Sequence, residues 1–68
     1  MAISYNKLWK LLVDKKMSKA DLRKAVGMAP NTLTKMRKDE PVSLEVLIRI
    51  CLVLDCNIGD IMEFVSEK

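Results

Sequence analysis

The chain has 68 residues with 12 Lys+Arg, 9 Asp+Glu, no His, two Cys, two Gly and two Pro, and half its side chains are hydrophobic; one small soluble domain over residues 1–68 is expected. A domain this short buries only about 60% of its unfolded surface. Two Cys without any His supply neither a disulfide framework nor a complete zinc site, which leaves regular helix packing to hold the chain together.

The formal charge of +3 is unevenly spread: Lys7 to Lys38 carries ten basic and two acidic side chains, a net +8, whereas Asp39 onward carries two basic and seven acidic ones, a net −5. This asymmetry fits a polyanion-binding surface on an acidic scaffold, and equally a solvated surface whose lysines serve solubility. No apolar run approaches the ~18 residues of a membrane span and the N-terminus lacks a signal-peptide pattern, so a cytoplasmic protein with reduced thiols is expected.

Five helix starts follow from one recurring pattern, in which an apolar residue precedes a cap and another follows four positions after it, as in a hydrophobic staple. The pairs are Ile3/Leu8 around Ser4, Met17/Leu22 around Ser18, Met28/Leu33 around Ala29, Val42/Leu47 around Ser43 and Cys56/Ile61 around Asn57. Ser18 with Asp21 and Asn57 with Asp60 also resemble capping boxes. The first helix, about Ser4 to Lys16, turns Tyr5, Leu8, Trp9, Leu12 and Val13 inward. The second, about Ser18 to Val26, buries Leu22, Ala25 and Val26 and stops at Gly27. The third opens with Pro30 at its first position and runs to about Arg37, with Leu33 and Met36 inward, until Asp39-Glu40-Pro41 breaks the chain.

The fourth, about Ser43 to Asp55, is apolar over more than half its circumference and is expected to be central, with only a strip around Glu45, Arg49, Leu52 and Cys56 left for water. Cys51 and Cys56 would diverge around such a helix, so they are read as small apolar fillers. A fifth helix from Asn57 presents Ile58, Ile61, Met62 and Val65 on one face, and no strand hairpin is foreseen.

Residues 18–38 thus form two short helices joined by a glycine turn. The outward face of the second is Asn31, Thr34, Lys35 and Lys38, with Pro30 and Thr32 at its N-terminal edge. These groups suit base edges in a major groove: Asn for adenine, Lys for guanine and a Thr methyl for thymine. The helix N-terminus adds partial positive charge for a phosphate.

With S-K-A-D-L-R-K-A-V-G-M-A-P-N-T-L-T-K-M, V-S-L-E-V-L-I-R-I-C-L-V-L and C-N-I-G-D-I, the chain resembles a Cro/repressor-type (Xre-like) helix-turn-helix regulator from Leu8 to about Val65. The resemblance implies an all-α, five-helix bundle of the lambda-repressor-like type whose third helix reads DNA. It puts Pro30, Asn31, Thr34 and Lys35 where the family contacts bases, and Lys19, Thr32 and Lys38 where it contacts phosphates. Lys19 replaces a usual Gln, Arg23 a usual small residue, and Ala29 the usual Ser or Thr cap, which removes a first-turn hydrogen bond worth roughly 1 kcal/mol. With Arg23 there, either the two helices open slightly or its stem lies along the surface and its guanidinium reaches the DNA backbone.

The expected activity is therefore sequence-specific binding of a double-stranded DNA operator by a nucleoid-associated repressor. A module this small makes few contacts, so a homodimer on a pseudo-palindromic site is expected, joined around Met62, Phe64 and Val65. No nucleophile, base or metal constellation assembles, so neither an enzyme nor a cofactor or small-molecule ligand is foreseen. The alternative from another class is a protein-interaction module, an adaptor or anti-repressor on the same fold.

Overall fold

Serine caps open two of the four helices, and residues near the two ends of the chain meet as strands. The computed structural model describes residues 2–66. In chain order it contains β1 (Ala2–Ser4), α1 (Asn6–Asp14), α2 (Lys19–Val26), α3 (Pro30–Arg37), α4 (Leu44–Leu54), one 3-10 turn at Ile58–Asp60, and β2 (Glu63–Val65). The mainly helical expectation holds, but the five-helix bundle is corrected to four α-helices and a small sheet among the described residues.

The differences lie at the two ends and share a cause. β1 and β2 pair antiparallel, with Ala2 opposite Val65, Ile3 opposite Phe64 and Ser4 opposite Glu63. Phe64 and Val65 favour extended backbone when a partner strand exists, and Ile3 and its neighbours supply it. The segment from Asn57 therefore makes only one tight turn before extending. Within it the Asp60 carboxylate still accepts from the Asn57 backbone N–H at 3.0 Å, so this half of the expected capping box survives in a shorter element.

At the other end, Ser4 is a buried strand residue rather than a helix cap, and α1 starts after Tyr5. The Ser4 hydroxyl nevertheless accepts from the Asn6 N–H at 3.3 Å and so eases the strand into the helix.

The core gathers Tyr5, Leu8 and Leu12 from the start of the chain, Leu22 and Val26 from α2, Met28 from the turn, Met36 from α3, Leu47, Ile50 and Leu54 from α4, and Ile61. Val13, expected inward, is 75% exposed because α1 ends at Asp14 with nothing packed over that side. Ala25 is likewise exposed. α4 is less enclosed than its composition suggests: Leu52 is exposed as expected, and Leu44 and Ile48 extend it into an exposed row of apolar side chains four residues apart.

The end of α4 carries a further correction. The helix stops at Leu54, Asp55 takes the left-handed conformation (φ 53°), and the chain folds back so that the Cys56 N–H donates to the Cys51 carbonyl at 3.0 Å. Cys51 and Cys56 thus line one groove instead of diverging around a continuous helix.

Tyr5 is fully buried and ties both ends of this architecture together. Its backbone N–H donates to Asp39 Oδ1 at 3.1 Å and its hydroxyl donates to the Glu40 carbonyl at 3.0 Å. Burial above all, then the Asp39 carboxylate, pushes the phenol pKa up, while the Val42 backbone acts in the opposite sense. The folded protein therefore holds this proton more tightly than the unfolded chain. The resulting stabilisation is fully present below the unfolded pKa and is lost as pH rises through the folded one. Tyr5→Phe should cost about 1 kcal/mol and lower the melting temperature by roughly 4–8 °C. Its stability should also fall less steeply than the parent's in alkaline solution, as thermal melts across a pH series would record; parallel curves would remove Tyr5 from the alkaline transition.

Candidate nucleic-acid interface

The site is built from α2, a three-residue turn and α3. α2 begins with a reciprocal capping box: the Ser18 hydroxyl accepts from the Asp21 N–H at 3.0 Å, and the Asp21 carboxylate accepts from the Ser18 N–H at 3.0 Å. The helix ends at Gly27, whose φ of 75° is a left-handed conformation that glycine adopts without strain. The N–H groups of Gly27 and Met28 both donate to the Arg23 carbonyl, at 2.9 and 3.2 Å. Met28 is then buried as a member of the core, which anchors the turn between α2 and α3.

α3 has Pro30 at its start and no side-chain cap from Ala29, as its sequence predicts. Met36 is fully buried and Leu33 half-buried, so the helix has one docked face. Pro30, Asn31, Thr34, Lys35 and Lys38 are exposed and Thr32 is half-buried, which agrees with the face predicted from periodicity. The Thr34 hydroxyl donates to the Pro30 carbonyl at 3.1 Å. Its hydrogen is thereby engaged within the helix, and its oxygen lone pairs remain as acceptors.

On α2, Lys19 is exposed and its ammonium lies 4.4 Å from the centroid of the Trp9 ring. This cation–π contact, between residues of different helices, carries no signal in the spacing of either one, and it gives Lys19 a preferred position at the N-terminal end of α2. Arg23 is half-buried, consistent with its stem lying along the surface. Among the described residues, the ion pairs are Lys7 with Glu63 at 3.6 Å and Arg49 with Glu45 at 2.6 Å, so Lys19, Arg23, Lys35 and Lys38 have no carboxylate within contact distance. Lys7, although part of the basic half, is also drawn away by the Gly59 carbonyl at 3.2 Å.

The far end of α3 is held by contacts that periodicity did not anticipate. Asp39 adopts a left-handed φ of 57° and turns its carboxylate onto the Tyr5 N–H. Met62, Phe64 and Val65 belong to β2 and the segment leading into it. Phe64 is 65% and Val65 37% exposed, while Met62 is half-buried.

Comparison with known proteins bears on this arrangement. Residues 7–67 match the Cro/C1-type HTH DNA-binding domain family. An uncharacterised HTH-type transcriptional regulator of Bacillus subtilis, YozG, is 37% identical over 60 residues, covering 85% of this chain and 71% of that protein. The crystal structure of the transcriptional regulator VanUg superposes with a TM-score of 0.94 at 53% identity, covering 97% of this chain and 88% of that one.

The capping box generates a prediction of its own. Its hydrogen bonds from the Ser18 backbone and side chain hold the Asp21 pKa below the ordinary carboxylate value, so its contribution is present above the unfolded pKa and is lost as pH falls through the folded one. In Ser18→Ala the backbone N–H bond to Asp21 is kept and only the hydroxyl contribution is lost, so the Asp21 titration, followed by NMR, should move part of the way up toward the ordinary value, and the protein should lose about 1 kcal/mol of stability. An unmoved titration would show that the Ser18 hydroxyl contributes nothing to it.

Proposed function

The chain belongs to the Cro/C1-type helix-turn-helix family and is a DNA-binding transcriptional regulator, and from that premise we propose that it is a repressor that reads the major groove of its operator with α3. The observation that carries this reading is the exposed face of Asn31, Thr34, Lys35 and Lys38 on a helix whose opposite side is docked by Met36. Pro30, Asn31, Thr34 and Lys35 contact base edges. Lys19, Arg23, Thr32 and Lys38 contact the flanking phosphates, with the N-terminus of α2 adding its partial charge. Phosphate contacts set the register, and the base contacts discriminate.

The protein acts as a single domain over residues 1–68 and binds as a homodimer on a pseudo-palindrome, which doubles a small contact set. The joining surface is Met62, Phe64 and Val65, and the exposed apolar area of Phe64 and Val65 supports that role. It works in the cytoplasm at the nucleoid without catalysis, cofactor or small-molecule ligand. The second reading, an interaction module, draws support from the exposed row Leu44, Ile48 and Leu52, which would suit a partner protein.

Selection from a random-duplex library decides between them: an enriched palindrome supports the operator-binding dimer, and absence of enrichment favours the interaction module. On the selected duplex, Lys35→Ala should reduce discrimination against scrambled DNA by about 1–3 kcal/mol. Lys19→Ala should instead weaken all duplexes alike and reduce the salt slope by about one unit. Titrations at several salt concentrations measure both, and exchange of the two patterns would reverse the assigned roles.

A further inference from the structure

Cys51 lies in the last turn of α4, and Cys56 lies just past the left-handed Asp55 that ends it. In this type of helix ending, the residue two beyond the helix folds back onto the side chain of the final turn. The 3.0 Å bond from the Cys56 N–H to the Cys51 carbonyl limits the separation of their Cα atoms. The bond lengths along that path sum to about 7.2 Å, and the bond angles at the carbonyl and the amide shorten the Cα–Cα distance into the range that a disulfide spans. Both residues are half-buried, both are free thiols, and both line the same groove of about 410 Å³ together with Leu44, Ile48, Leu52 and Ile58.

We propose that Cys51 and Cys56 form a reversible intramolecular disulfide by exchange with a small-molecule disulfide, making the end of α4 a thiol modification site. The Cys51 thiolate attacks one sulfur of the small disulfide and expels its other half as a thiolate, which takes up a proton. Cys56 then gives its proton to solvent and attacks the Cys51 sulfur of the mixed disulfide. The second small thiol leaves and the Cys51–Cys56 bond closes. Two cysteines are oxidised and one small disulfide is reduced to two thiols.

This order suits the surroundings of Cys56. Burial foremost, then the neighbouring Cys51 and more weakly Asp60, pushes its thiol pKa up, whereas Lys15 acts in the opposite sense. Cys56 is therefore the slower nucleophile from solvent and takes the resolving role, in which proximity replaces thiolate fraction. Closure would join the last turn of α4 to the residue preceding Asn57, beside the row Leu44, Ile48 and Leu52, and it is independent of the DNA-reading assignment.

The full chain, reduced and then equilibrated with mixtures of reduced and oxidised glutathione, tests this by acid quenching, alkylation and mass measurement. Both thiols should disappear together, with a mass lower by two hydrogens, monomer mobility on a non-reducing gel and full reversal by dithiothreitol. Cys56→Ser should stop at a glutathione adduct on Cys51. Persistent single adducts on the parent chain, disulfide-linked dimers, or two thiols that stay free in excess oxidised glutathione would each overturn the proposal.

Discussion

The buried Tyr5 clamp is the interaction on which the placement of the other parts depends. One residue receives the start of α1, fills the core with its ring, and binds the segment after α3 through both its backbone and its hydroxyl. α3 is only eight residues long and has no side-chain cap at its N-terminus. A helix of that length is marginal alone, so its position has to come from tertiary contacts. Met28 and Met36 hold its inner side, and the Asp39–Tyr5 bond holds the chain as it leaves. With its geometry set from behind and below, the outer face can be entirely polar.

The same bond has an electrostatic result. Asp39 is the first acid after a run of cations and follows Lys38 directly. Its carboxylate is drawn onto the Tyr5 backbone, so it is not free to neutralise the end of the helix. Elsewhere Lys7 and Arg49 meet their acids within the acidic half of the chain. The uneven charge of the sequence thus becomes an uneven charge in space, with the cations of α2 and α3 left open to solvent.

What could be read from the sequence follows from the range of each signal. α2, α3 and α4 have their determinants within a few residues of their ends: Ser18 with Asp21, Gly27, Pro30 and Ser43. Their boundaries and the outward placement of Asn31, Thr34, Lys35 and Lys38 were accordingly legible. β1 and β2 are three residues each and exist only because they find one another across nearly the whole chain, so local periodicity assigned both segments to helices. The placement of the Cys pair turns on a single left-handed residue, Asp55, which no cap motif in the sequence announces. The Trp9–Lys19 contact and the Tyr5 clamp join different elements, and helical spacing is silent about such pairs.

The strand pairing has a consequence for the order in which the molecule is completed. β1 is synthesised before the four helices, yet it has no strand partner until Val65 has been added. The helix-turn-helix, the Tyr5 clamp and α4 are all complete in sequence by Leu54 and can assemble earlier, while Ile3 and Ser4 wait. The final seam is therefore a long-range one, drawn shut after the rest has formed, and truncation anywhere before Phe64 would leave an unpaired strand edge at the opposite end of the chain.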